Sequence, residues 1–120
     1  MEKGGSMSDT FQVPDELMAR CVNRLDLVQR VLSSFVEQLD GDIPTLGDFV
    51  ESGAGEEARK LAHRIKGAAA NVAAEGIRSS VAKLEDLASN ERLADARLQL
   101  DELRESWNTY KDQTATFISG

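Results

Sequence analysis

Apolar residues recur at steps of three and four along almost the whole chain, the spacing of one face of an α-helix. No stretch alternates in the two-residue rhythm of a half-buried strand. A short first helix is predicted from Pro14 to Val22, because Pro14 suits a first helical position and Asp15 and Glu16 suit the first turn. Asn23 or Asp26 is then a candidate N-cap for a long second helix. Its stripe runs through Leu27, Val28, Val31, Leu32, Phe35 and Leu39 and continues through Ile43, Leu46, Phe49 and Val50. Gly41 and Pro44 interrupt that stripe, so a kink or a loosened turn near Pro44 is expected within one helix. A split into two helices at residues 40–42 is the alternative.

Ser52-Gly53-Ala54-Gly55 forms an evident stop and turn. A third helix is predicted from Glu56 to Ala73, with Ala58, Leu61, Ala62, Ile65, Ala68, Ala69 and Val72 as its apolar positions. The chain is expected to turn at Ala74-Glu75-Gly76 and to enter a fourth helix, Ile77 to Ala88, that buries Ile77, Val81, Leu84 and Leu87. The last helix has the cleanest pattern, through Leu93, Ala96, Leu100, Leu103, Trp107, Tyr110, Thr114 and Phe117. Short connections between long helices make neighbours antiparallel. The expected fold is therefore all-α, an up-down-up-down four-helix bundle over residues 13–120, with the short N-terminal helix covering one end. Residues 1–12 are set apart as a flexible leader or an expression remnant, since Gly4-Gly5-Ser6 precedes a second methionine, Met7.

Length and charge narrow the functional classes. A chain of 120 residues is one domain's worth. A formal net charge of −7 argues against binding to nucleic-acid backbones or anionic membranes. No apolar run approaches the roughly 18 residues needed to span a bilayer, and the first ten residues hold no apolar signal core, so a cytoplasmic location is expected. Cys21, the only cysteine, has no partner for an internal bridge and reads as a small buried hydrophobe.

Few chemistries remain. With one histidine in the chain, a multi-histidine zinc or di-iron site is not available. No glycine-rich phosphate loop or nucleophile elbow is present. On a helical wheel with His63 at zero, Leu61, Ile65 and Val72 fall about 160 to 180° away. The core stripe is thus centred opposite His63, and the imidazole is expected at the surface in mid-helix. Arg59, Lys60, Lys66, Gly67 and Ala70 lie within about 60° of it, one or two turns away. Three cations on that face of an acidic protein make a local patch able to hold a phosphoryl group, although Glu56 and Glu57 weaken it. Gly67 costs the helix roughly 1 kcal/mol relative to alanine, and three alanines follow it. A glycine beside an exposed histidine implies close approach by another surface, the alternative being a tolerated interior glycine or a local bend.

The stretch Leu61-Ala62-His63-Arg64-Ile65-Lys66-Gly67-Ala68-Ala69-Ala70-Asn71-Val72-Ala73-Ala74 resembles the signature of the histidine-containing phosphotransfer (HPt) domain family. That signature is alanine-histidine, a free position, leucine or isoleucine, lysine-glycine, two small residues, a free position, asparagine, an aliphatic residue, and glycine or alanine. Leu84-Glu85 in the next helix matches the family's leucine-glutamate pair. The likeness extends over the bundle from about Asp15 to Phe117, but its specificity lies between Ala62 and Ala73. Alanine stands at 68 and 69 where serine is common, and Ala73 stands where glycine is common.

The resemblance implies a phosphocarrier. His63 would accept a phosphoryl group from the aspartyl phosphate of one response-regulator receiver and pass it to the aspartate of another. Lys66 would supply the phosphoryl electrostatics and Gly67 the clearance for docking, with Arg59, Lys60 and Ala70 beside them on the partner-binding face. It also implies no cofactor or metal of the domain's own, Mg²⁺ being supplied in the receiver site, and no ATP-binding or autokinase machinery. The chain is thus expected to act as a monomeric intermediate and not as an enzyme, serving receivers and possibly a hybrid sensor kinase. The competing reading is a helical interaction module that docks receivers without being phosphorylated.

Overall fold

The computed structural model describes residues 11–119, which form five α-helices. Helix α1 spans Asp15–Arg20, α2 Leu25–Glu51, α3 Gly55–Asn71, α4 Glu75–Ser89 and α5 Leu93–Ser119. Helices α2 to α5 form the bundle: α3 packs between α2 and α4, and α5 closes the ring against α4 and α2. Leu32, Leu39, Leu46, Ile65, Leu84, Leu100 and Leu103 are fully buried along its axis. No described helix is long and apolar enough to cross a membrane.

Helix α1 is shorter than the sequence pattern predicts, because Val22 and Asn23 take left-handed backbone angles, φ 47° and 59°. The Asn23 amide then donates back to the Met18 carbonyl at 2.8 Å, closing the helix. Leu17 and Cys21 are buried where α1 meets α2. Phe11, assigned to the leader by a boundary at residue 12, packs edge-on against Tyr110 with ring centroids 6.3 Å apart and against Phe117 at 5.4 Å. Residues 1–10 of that leader lie outside the described residues.

Neither proposed cap forms at the start of α2. Arg24 occupies the N-cap position with no side-chain cap bond, and Asp26 pairs with Arg24 at 2.7 Å. The helix continues without a break through Gly41 and Pro44, so the split at residues 40–42 does not occur. Proline cannot donate to the carbonyl four residues back, here that of Asp40. Because Pro44 is exposed, this carbonyl lies on the wet side, and the Thr45 hydroxyl donates to Gly41 O at 3.0 Å in the same turn. Val31, placed in the core stripe, is 38% exposed.

The turn between α3 and α4 falls earlier than expected. Helix α3 ends at Asn71, Ala73 adopts φ 56°, and Gly76 lies inside the first turn of α4. The connection keeps three residues, 72–74, and sets α3 and α4 side by side. Gln99, buried in α5, donates to Ser80 O at 3.1 Å and Ser80 Oγ at 2.9 Å, tying α5 to α4.

Candidate functional site

Helix α3 buries Ala58, Leu61, Ala62, Ile65 and Ala69. His63 stands on the opposite side, its side chain 66% exposed, at the position the wheel assigns it. Because α3 and α4 run antiparallel over a three-residue turn, Glu85 of α4 comes level with His63. Glu85 Oε2 lies 2.9 Å from His63 Nδ1, and Oε1 lies 2.7 Å from Lys66 Nζ. The imidazole and the ammonium thus converge on one carboxylate whose side chain is only 16% exposed. Burial acts to raise the Glu85 carboxyl. The hydrogen bonds from Lys66 and His63 outweigh it and hold the group below the ordinary glutamate value.

An ionised Glu85 accepts only, so a neutral imidazole must place its single proton on Nδ1 to make this bond. The Nε2 lone pair is then left free. On a side chain two-thirds exposed, that is a fixed nucleophilic atom at the surface.

The other residues of the expected face do not act as one patch. Arg59 is held by Glu56 of its own helix at 2.8 Å, which raises its already high pKa further. Arg64, beside His63 in sequence, pairs with Asp42 of α2 at 2.8 Å. Lys60 is exposed and forms no ion pair with another described residue. Gly67 is exposed, and a Cβ built there meets nothing within 4 Å. The chain's own packing therefore gives no reason for glycine at that position. Ala70 is half-buried and Asn71 exposed; their carbonyls accept from Arg20 Nη1 of α1 at 2.9 and 2.6 Å.

Two residues in contact with α3 were not assigned by sequence reasoning. Glu85 carried a signal, since the Leu84-Glu85 pair is part of the family pattern, but no role followed from it. Arg20 carried none, because its contact joins positions 50 apart. Among the described residues, no cluster of three or more histidine, cysteine, aspartate or glutamate side chains is arranged to hold a metal ion.

The family model of the Hpt domain matches residues 30–113, which takes in α3, α4 and most of α2 and α5. No curated protein and no solved structure matches the chain.

Proposed function

The chain belongs to the Hpt domain family, and on that premise we propose that it carries a phosphoryl group on His63 between response-regulator receiver domains. Domains of this family serve phosphotransfer in two-component systems and interact with receivers; they are phosphocarriers without ATP-binding machinery. The observation that carries the assignment to His63 is the shared carboxylate. Glu85 holds Nδ1 of the exposed imidazole and Nζ of Lys66 at the same time.

The chemistry follows from that arrangement. The Nε2 lone pair attacks the phosphorus of a receiver's aspartyl phosphate. An N–P bond forms, the P–O bond to the aspartyl carboxyl breaks, and the aspartate leaves with the electron pair. The Nδ1 proton stays in place, so the ring becomes a phosphoimidazolium whose positive charge faces the Glu85 carboxylate. For onward transfer an aspartate oxygen of the accepting receiver forms a P–O bond as the N–P electron pair returns to Nε2, and a ring already protonated at Nδ1 leaves as neutral imidazole. Lys66, beside the ring on the same carboxylate, is placed to neutralise phosphoryl oxygens. Mg²⁺ belongs to the receiver, where it serves the aspartate side of the exchange. The domain acts as a monomer and meets its receivers in the cytoplasm.

Incubation with a phosphorylated receiver tests the proposal. Acid-labile, base-stable label is expected on the chain and is expected to vanish in His63→Gln with the fold intact. Label persisting on that variant would overturn the assignment, because the chain has one histidine.

A further inference from the structure

Arg20, the last residue of α1, is exposed, yet its guanidinium is held in place. Nη1 donates to the carbonyls of Ala70 at 2.9 Å and Asn71 at 2.6 Å. Those carbonyls belong to the last turn of α3, where the helix dipole favours a cation; that of Ala70 also accepts from the Ala73 amide at 3.1 Å. Nε and Nη2 donate to no described residue, and Arg20 forms no ion pair with one. The fork that suits a carboxylate is therefore left open on an anchored group.

Its location ties it to the transfer site. Ala70 follows His63 by seven residues, which is two helical turns, about 10 Å along the axis and about 20° around it. Gly67 lies between them with open space above its Cα. A surface that settles on His63 across Gly67 reaches the end of α3, and there it meets Arg20.

Charge matching separates Arg20 from three cations nearer the histidine and leaves Lys60 as the other one there without a carboxylate among the described residues. Arg59 is neutralised by Glu56, Arg64 by Asp42 and Lys66 by Glu85. On a chain of net charge −7, an anchored cation with no carboxylate among the described residues is complementary to an anion brought from outside. Val22 and Leu25, 68% and 54% exposed, follow within five residues and add apolar surface to the same corner. A charge pair bordered by apolar contacts is better shielded from water than an isolated one.

We infer that Arg20 is a receiver-recognition residue, whose guanidinium pairs with a carboxylate on the docking receiver about two helical turns from His63. The inference rests on the phosphocarrier reading above and adds what the partner must bring: an aspartate or glutamate facing α1 when its phosphorylation site faces His63. Helix α1 then acts as a selectivity element, and α3 carries the chemistry.

The test uses the full chain and three variants. Arg20→Gln keeps an N–H donor for the α3 carbonyls and removes the charge. Arg20→Lys keeps the charge and loses the fork, and Arg20→Ala removes both. Transfer from a phosphorylated receiver is measured as kcat and KM at low and high salt, with thermal melting alongside. Phosphoramidate, a small donor that needs no docking, reports the reactivity of His63 itself. Arg20→Gln is expected to raise KM for the receiver about five- to tenfold at low salt, with kcat within twofold and the gap closing as salt screens the pair. Arg20→Lys is expected to fall between it and the parent, and phosphoramidate labelling to match the parent in all three. Parental KM for Arg20→Gln at low salt would overturn the inference. So would a KM that rises equally at low and high salt together with a lowered melting temperature, for then Arg20 only caps α3. If phosphoramidate and receiver both fail to label the parent chain, the phosphocarrier reading itself falls, and this inference with it.

Discussion

Nδ1 of His63 lies 2.9 Å from Oε2 of Glu85, a contact made across 22 positions of sequence. It decides which ring nitrogen faces the solvent. Replacing Glu85 should release both the tautomer and Lys66. Glu85→Ala is expected to slow transfer about tenfold or more, the scale of a lost charge-assisted hydrogen bond. Glu85→Gln should be intermediate, since its carbonyl still accepts from Nδ1 but no longer attracts the ammonium. Nitrogen NMR of the neutral imidazole provides the independent reading: the Nδ1–H form should dominate in the parent and give way to a mixture in Glu85→Ala. An unchanged tautomer ratio would mean that the carboxylate does not orient the ring.

Ala73 sits in the three-residue turn joining α3 to α4 with φ 56°. A residue with a Cβ is strained in that region and glycine is not. Ala73→Gly is therefore expected to stabilise the domain by about 0.5–1 kcal/mol, raising the melting temperature by a few degrees. Phosphotransfer should stay at the parental rate, because the turn lies beyond the His63 face. A melting temperature equal to or below the parent's would show that the turn carries no such strain.

That alanine also shows what the sequence left illegible. The period-three-and-four pattern was enough for four long helices and their antiparallel ring, since burying Leu61, Ile65, Leu84 and Leu100 permits few other arrangements. The same periodicity put His63 outward. Helix ends were harder, because they depend on backbone angles: nothing in the side chains of Val22 or Ala73 announces a positive φ, and Asn23, which tolerates one, suits an N-cap equally well. Continuity of α2 through Pro44 was undecided for a similar reason, since a proline ends a buried helix but is tolerated where its orphaned carbonyl reaches water. The charges on the His63 face were legible as residues but not as pairs. That Lys66 meets Glu85 is settled only by where α4 comes to lie.

Asp40 Oδ1 accepts from Trp107 Nε1 at 3.0 Å and from Lys111 Nζ at 2.9 Å, fastening α2 to α5 next to Pro44. The Lys111 hydrogen bond, aided by that of Trp107, holds the Asp40 carboxyl below its ordinary value of 3.8. A depressed carboxyl contributes stability that is fully present above the unfolded pKa and is lost as pH falls through the folded one. Asp40→Asn should therefore destabilise the domain at pH 7, by no more than about 1 kcal/mol for a half-exposed pair. The parent should lose its advantage below pH ~3.8. Denaturant titrations at pH 7 and pH 3, followed by the fluorescence of the sole tryptophan, measure the difference. An advantage for the parent that persists undiminished at pH 3 would assign the effect to packing and not to the ionised carboxylate.

Gly67 gives the sharpest separation between folding and function. It is exposed in mid-helix, and a Cβ at that position would meet nothing within 4 Å. Glycine there costs the helix roughly 1 kcal/mol relative to alanine, and no neighbour in the chain benefits from its smallness. Gly67→Gln should accordingly stabilise the isolated domain by a few tenths of a kcal/mol or more, since glutamine is the better helix former. The added side chain would stand one turn from His63, on the approach a receiver must take to bring its aspartate within bonding distance. Transfer to and from receivers should fall, while labelling by phosphoramidate, which needs far less room, should hold near the parental rate. Melting temperature and receiver transfer would then move in opposite directions in one variant. If Gly67→Gln exchanged phosphate with receivers at the parental rate, clearance for docking would be wrong, and the glycine would need a reason outside the transfer surface. If the small donor were blocked to the same degree as the receiver, the glutamine would be covering Nε2 itself, and the effect would belong to His63 and not to docking.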